Sequence, residues 1–197
     1  MKNIVWVIAG AALVGTAGFS AVRTDAGRQV QSEEVVAARV ERGTYLVRAM
    51  GCNDCHTPWK MTEHGPEPDM TRALTGHPEQ IGPLKPAEHA KEGPWVWSGA
   101  ATNTAFSGAW GVSYAANLTP DQNTGLGIWT EDMFVRAIRT GRHMGVSRPI
   151  MPPMPWPMFR NLNDEDLKSI YAYLRTIKPV TNHVPDYQPP AETLSTN

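Results

Sequence analysis

Cysteine, charge of one sign and long apolar runs are all scarce in this sequence of 197 residues. Its two cysteines cannot make a four-cysteine zinc site. Its lysines and arginines are scattered and its formal net charge is −1, so nothing favours binding to nucleic acid, and we expect no nucleic-acid partner. Its longest apolar run, residues 4–19, falls short of the ~20 residues that span a bilayer as a helix.

The amino terminus nevertheless has the pattern of an export signal. Lys2 precedes the apolar run of residues 4–19, as a positive end precedes the core of a secretory signal peptide. We therefore expect residues 1–21 to be either a signal peptide or an uncleaved anchor that associates with a membrane. Either interpretation places the rest of the chain in the periplasm.

The remaining chain divides by composition into three parts. Residues 22–32 form a polar linker, residues 33–182 carry the helical and chemical signals of one domain, and residues 183–197 form a polar, proline-rich tail. No internal repeat is present. A single domain of ordinary size is the expectation.

Apolar spacing and capping residues predict three helices. The first covers residues 33–50, the second lies between Thr130 as its cap and Gly141 as its stop, and the third lies between Asn163 and Pro179. All three have acidic residues in the first turn, where the helix dipole stabilises negative charge. We therefore expect an all-α fold.

Two proline-containing segments interrupt this helical pattern. Residues 59–116 show no sustained period, and their many glycines, prolines and tryptophans indicate a long loop insertion. Residues 148–158 contain five prolines, so we expect an extended, stiff segment there.

The only two cysteines stand in a motif that carries chemistry, C-N-D-C-H, which contains Cys52, Cys55 and His56. In C-x-x-C-H both thiols can reach the two vinyl groups of one haem, and the histidine can bind its iron. Half of a zinc site and a thioredoxin-type dithiol are the alternatives. The zinc site lacks further ligands, and the dithiol lacks the preceding strand that it normally follows.

A methionine is the expected sixth ligand of the iron. Thioether opposite imidazole is the ligand pair of electron-carrying cytochromes c, and it raises the reduction potential. Met154 is the leading candidate because prolines on both sides restrict its backbone, and Met151 and Met158 remain alternatives.

Other polar and aromatic residues have plainer interpretations. Four histidines are expected to lie at the surface or to form hydrogen bonds: His64, His77, His89 and His143. Three tryptophans could line a haem site or simply pack the long loop: Trp95, Trp97 and Trp110. Three arginines complement the carboxyl end of the second helix, although they could also pair with haem propionates: Arg136, Arg139 and Arg142.

At this point the sequence resembles the class I c-type cytochromes, and more closely the cytochrome domains of bacterial dehydrogenase electron-acceptor subunits. The resemblance lies in RGTYLVRAMGCNDCHTP at 42–58, NLTPDQNTGLGIWTEDMFVRAIRTGRH at 117–143, MPPMPW at 151–156 and LNDEDLKSIYAYLRTIKPV at 162–180. It implies a cytochrome c fold of about three main helices around a covalent haem. It also implies Met154 as the axial ligand, and a close crossing of the first and last helices at Gly43 with Tyr171 or Tyr173.

These features predict an electron carrier with one haem c, held by Cys52, Cys55, His56 and Met154. The expected role is a periplasmic cytochrome that takes single electrons from a dehydrogenase and passes them to an oxidase or another cytochrome. No catalytic residue is expected in such a carrier. The alternative is a haem enzyme or sensor, peroxidase-like or gas-binding, in which the sixth position is open or labile.

Overall fold

The computed structural model describes residues 17–88 and 94–190, with side chains described from residue 29 onward. Within these residues the structure has five α-helices: α1 (Ala17–Ala49), α2 (Cys52–His56), α3 (Glu131–Thr140), α4 (Trp156–Phe159) and α5 (Asp164–Leu174). It also has five β-strands: β1 (Trp59–Thr62), β2 (Gly65–Pro68), β3 (Trp97–Gly99), β4 (Ala105–Gly108) and β5 (Gly111–Tyr114).

The expectation of an all-α fold is wrong. Strands β1 and β2 form an antiparallel hairpin, and strands β3, β4 and β5 form a three-stranded antiparallel sheet in that order. Both sheets lie in the segment that was expected to be a loop. These strands are only three or four residues long, and the first three residues of β4 and of β5 are all buried. The alternation of buried and exposed residues that reveals a strand is therefore missing.

Helix α1 begins earlier than its apolar pattern indicates. The pattern starts at residue 33, whereas α1 begins at Ala17 and includes the expected linker at residues 22–32. No proline interrupts this stretch, and residues 29–37 are exposed, so it lacks the buried stripe on which the prediction depended. Contacts along the chain separate residues 1–37 from residues 38–197 as two units.

The expected signal or anchor at residues 1–21 lies outside the described residues except for its last five. No helix in the described part of the chain is long and apolar enough to span a bilayer. The end of the tail, residues 191–197, and His89 are likewise outside the described residues.

The second and third predicted helices are confirmed, together with their caps. Thr130 Oγ1 accepts a hydrogen bond from the Met133 amide at 3.2 Å, and α3 ends at Gly141, whose φ is 66°. Asn163 Oδ1 accepts from the Asp166 amide at 2.7 Å, at the start of α5. Local side-chain capping determines both starts, so the sequence was sufficient to locate them.

The hydrophobic core lies where the carboxyl-terminal half of α1 meets α3 and α5. Its buried members come from these helices and from two loop leucines: Leu46, Val47, Leu74, Leu126, Phe134, Ile138, Leu167, Ile170 and Leu174. A core drawn from three helices and a long connection brings together segments that are distant in sequence.

The crossing of α1 and α5 depends on Gly43. A β-carbon at Gly43 would overlap the backbone carbonyl of Ser169 and lie 2.9 Å from Cβ of Tyr173. Two ion pairs flank the crossing, Arg39 to Glu165 at 3.0 Å and Arg42 to Asp166 at 2.8 Å. Because these side chains are largely exposed and such pairs contribute little, the close approach at Gly43 is the main feature that holds the helices together. The sequence predicted this approach, with Tyr173 as one of its two candidate aromatic partners.

Among the histidines outside the motif, His77 is fully buried in the sheet-bearing segment and hydrogen-bonded at both ring nitrogens. Its Nδ1 lies 2.9 Å from Thr104 Oγ1, and its Nε2 lies 3.1 Å from the Gly82 carbonyl. Burial lowers the pKa of His77, which keeps the ring neutral. The ring also packs against Tyr114, so this histidine is structural, as the sequence indicated.

Replacement of Gly43 by alanine is expected to destabilise the protein by roughly 1–3 kcal/mol, the usual cost of overpacking. Alanine favours helices over glycine by up to about 1 kcal/mol, so the expected sign holds only if the overlap with Ser169 dominates. Chemical denaturation followed by circular dichroism measures the change. Gly99→Ala, where the added carbon meets its nearest atom at 3.4 Å, is the control. A Gly43→Ala protein as stable as the parent would contradict this account.

Candidate functional site

The C-x-x-C-H motif forms a helix of its own directly after α1. Gly51, with φ 69°, turns the chain between α1 and α2, and the amide of Asp54 donates to the Gly51 carbonyl at 3.0 Å. Cys52 and Cys55 are three residues apart on α2, so their side chains lie on the same side of the helix. The short helix therefore presents both thiols and His56 together.

His56 is buried, and its ring is oriented by the backbone. Its Nδ1 lies 2.7 Å from the carbonyl oxygen of Ala116. A carbonyl only accepts, so Nδ1 carries the proton and Nε2 keeps its lone pair. Burial also lowers the pKa of His56 and favours the neutral ring. Metal-binding histidines commonly donate their other nitrogen to a carbonyl in this way, which suits Nε2 to iron.

Cys52, Cys55 and His56 line one large apolar cavity of about 620 Å³. This volume falls within the ~300–1,000 Å³ that cofactor and ligand sites usually enclose. Its walls come from three helices and from the three-stranded sheet: Val47, Trp97, Phe106, Phe134, Ile138, Leu167, Ile170 and Leu174. A flat, apolar cofactor with a covalent attachment point and an imidazole ligand fits this lining.

Two of the three candidate methionines line the same cavity. Met151 and Met154 both do so, and Met154 also packs against the hydrophobic core. Met158 is 71% exposed. The structure thus brings Met154 to the cavity with the cysteines and histidine, and Met151 beside it.

The proline-rich segment is not extended throughout its length, as the sequence had indicated. Trp156–Phe159 form the helical turn α4, which includes Pro157 and Met158. Proline is tolerated there because the amides of the first helical turn need no partner inside the helix. This turn directs Met158 to solvent.

The two alternative interpretations of the cysteines gain no support from the site. Burial raises the pKa of the Cys52 thiol to about 11, whereas the attacking thiol of a redox dithiol has a lowered pKa. The described residues contain no group of three or more histidine, cysteine, aspartate or glutamate side chains arranged to hold a metal ion. The arrangement fits thioether attachment better than thiol chemistry or zinc binding.

Polar residues that the sequence reasoning did not single out also line the cavity. Arg148 contributes a guanidinium, and His143, which packs edge-on against Trp129, lies beside it. A guanidinium pairs well with carboxylates. The arginines named as alternatives are engaged elsewhere: Arg139 binds Asp164, and Arg142 donates to the carbonyl of Ser147. Spacing alone gave no sign that Arg148 would face the cavity.

The loop tryptophans have different roles. Trp97 lines the cavity and packs edge-on against Phe106, with ring centroids 5.4 Å apart. Trp95 is 69% exposed. Trp110 donates from its indole nitrogen to Ser113 Oγ at 3.2 Å. Of the two interpretations given to these residues, cavity wall and loop packing, each applies to one tryptophan.

The carboxyl-terminal segment also contributes a wall, a role that its polar composition concealed. Residues 183–186 line the cavity. They are held at one end by Asn182, whose amide group donates to the carbonyls of Thr75 and His77 at 2.7 and 2.8 Å and accepts from the Glu79 amide at 2.9 Å. At the other end Gln188 pairs with Val112 of β5. The first part of the expected tail is therefore packed against the domain.

Comparison with known proteins identifies the relatives of this chain as cytochrome c subunits of bacterial dehydrogenases. It is 29% identical to the cytochrome c subunit of the quinone-dependent alcohol dehydrogenase of Gluconobacter oxydans over 88% of its length. It is 29% identical over 77% of its length to the fructose dehydrogenase cytochrome subunit of Gluconobacter japonicus. It is also 28% identical over 91% of its length to the gluconate 2-dehydrogenase cytochrome c subunit of Pantoea cypripedii. No family model matches the chain.

The matched proteins are much longer than this chain, which spans 29%, 24% and 30% of their respective lengths. The resemblance inferred from the four sequence stretches is nevertheless confirmed. The relatives support a role in electron transfer and, as cytochrome c subunits, imply haem c as the cofactor.

Replacement of Asn182 by alanine should destabilise the protein by about 2–4 kcal/mol. The change removes three hydrogen bonds and leaves buried backbone groups unpaired, and each such loss costs roughly 1–3 kcal/mol before relaxation. Denaturant titration measures it, with Asn161→Ala, which removes one exposed hydrogen bond, as the control. Equal stability of the two variants would show that Asn182 does not anchor the terminal segment.

Proposed function

We propose that this protein is an exported electron carrier with one haem c, covalently bound through Cys52 and Cys55, with His56 and Met154 as the axial ligands of its iron. The single C-x-x-C-H motif supports one haem per chain. The observation that carries the proposal is the convergence of all four residues on one apolar cavity. When bound, a haem with histidine and methionine ligands supplies reversible one-electron chemistry at a raised potential.

The residues around the cavity would hold such a group by distinct means. Cys52 and Cys55 provide the thioether sulfurs, and the Ala116 carbonyl keeps His56 in the tautomer with a free Nε2. Arg148 and His143 offer positive charge and hydrogen-bond donors suited to the propionate carboxylates. The aromatic and aliphatic walls exclude water, which favours a uniform environment around the iron.

We further propose that the electron donor is a dehydrogenase and the acceptor an oxidase or another cytochrome. The named relatives are subunits of dehydrogenases, which supports a partner of that class. Export rests on the pattern of residues 1–21 and on the fact that haem c is attached outside the cytoplasm. We therefore assign the protein to the periplasm, either free or held at the membrane by that segment.

The absorption spectrum of protein matured in a host with a c-type haem attachment system tests this function. We expect a covalent, low-spin haem with the sulfur-to-iron charge-transfer band, and slow reaction with carbon monoxide because the sixth position is taken. Cys52→Ala and Cys55→Ala together should prevent covalent attachment. High-spin haem that binds carbon monoxide rapidly, or turns over peroxide, would favour the haem enzyme or sensor instead.

Replacement of Met154 by alanine should abolish the charge-transfer band and lower the reduction potential, since a thioether ligand stabilises the ferrous state. Met158→Ala is the matched control because its side chain faces solvent, and it should leave both properties unchanged. Spectroscopy and potentiometric titration measure them. If Met151→Ala abolishes the band while Met154→Ala does not, Met151 is the ligand.

A further inference from the structure

We propose that Ser113 of β5 is a positioning residue for the axial methionine, because its hydroxyl holds the backbone of the methionine segment against the sheet. This inference rests on the proposed function. It goes beyond it by assigning a role to the three-stranded sheet in the long insertion.

The contact that carries the proposal joins two segments that are 39 residues apart. Ser113 Oγ lies 2.5 Å from the carbonyl oxygen of Pro152, two residues before Met154. Ser113 is 6% exposed and lines the cavity, so water competes little for this hydrogen bond. A carbonyl cannot donate, so the hydroxyl proton goes to Pro152.

The acceptor side of the same hydroxyl is also occupied. The indole N–H of Trp110 donates to Ser113 Oγ at 3.2 Å. With one proton donated and one accepted, the hydroxyl is fixed in a single orientation, directed at Pro152. Removal of the hydroxyl would leave two groups without this partner: the indole N–H and the Pro152 carbonyl.

The sheet that carries Ser113 is itself supported on both edges. Strand β5 pairs with β4 on one side, and on the other side Val112 and Gln188 exchange backbone hydrogen bonds of 2.8 and 2.9 Å. The Tyr187 hydroxyl donates to the Trp110 carbonyl at 2.5 Å. The terminal segment therefore steadies the strand and the tryptophan that orient Ser113.

The methionine follows this anchor in a compact turn. The Met154 amide donates to the Met151 carbonyl at 3.3 Å, and the Trp156 amide donates to the Met154 carbonyl at 2.9 Å. Few rotatable bonds lie between Pro152 and Met154, because Pro153 restricts its own φ. A shift of the Pro152 carbonyl would thus be transmitted to the Met154 sulfur.

The test is the displacement of the thioether by imidazole in the ferric holoprotein, followed by loss of the charge-transfer band. Ser113→Ala should increase the imidazole binding constant about fivefold, which corresponds to about 1 kcal/mol, the typical net contribution of one hydrogen bond. The matched control is Ser107→Ala. Ser107 is a buried serine of the neighbouring strand that accepts from the Ala87 amide instead, and its replacement should leave the constant unchanged.

A second pair of variants keeps the test decisive if Ser113→Ala fails to incorporate haem. Threonine and valine have nearly the same shape, and at position 113 they differ in having or lacking the hydroxyl. Ser113→Thr should therefore hold the methionine better than Ser113→Val. Identical behaviour of the two, including equal failure to mature, would overturn the proposal.

Failure of this inference and failure of the proposed function give different results. If the parent protein lacks the charge-transfer band, methionine ligation itself is wrong. If the parent shows the band and Ser113→Ala binds imidazole as the parent does, ligation stands and Ser113 does not position the methionine. A fivefold effect in Ser107→Ala as well would assign the change to general loosening of the sheet and would also overturn the proposal.

Discussion

The hydrogen bond between His56 and the Ala116 carbonyl is the contact on which the arrangement of the site depends. It joins the end of the motif helix to the far end of the sheet-bearing insertion, 60 residues later in the chain. A second link runs alongside, from the Gly76 amide to the His56 carbonyl at 2.8 Å. Because the insertion returns to the histidine from which it starts, its sheet is fixed relative to the motif, and one buried imidazole is oriented by backbone that water cannot easily displace.

The parts of this structure that could be predicted are those determined locally. Helices α3 and α5 begin at the expected caps because a threonine or asparagine side chain bonds an amide three residues on. The motif and its histidine were predictable because their spacing is itself the chemistry. The close approach at Gly43 was also expected, since only a residue without a side chain lets the two helices meet.

The parts that could not be predicted depend on tertiary contacts. The strands of the insertion are too short and too evenly buried to show alternation, and they are stabilised by pairing with one another and with the terminal segment. Helix α1 extends through residues that carry no buried stripe, and α4 forms in a proline-rich stretch. Arg148 and Ser113 reach the cavity only because distant segments fold together, and no short-range pattern announces such residues.

The same division explains how the proposed ligand sphere is constructed. His56 is oriented by the insertion at Ala116, and the segment of Met154 is bonded to the insertion at Ser113, so both sides of the cavity are fixed to one small sheet and its flanks. An electron carrier functions best when its ligands need not move between oxidation states, because preorganised groups add no reorganisation cost at the moment of transfer. A weak iron–thioether bond cannot enforce that geometry alone. The sheet offers rigidity that three small helices would lack, which is a physical reason for a carrier of this size to retain a long insertion between its first two major helices.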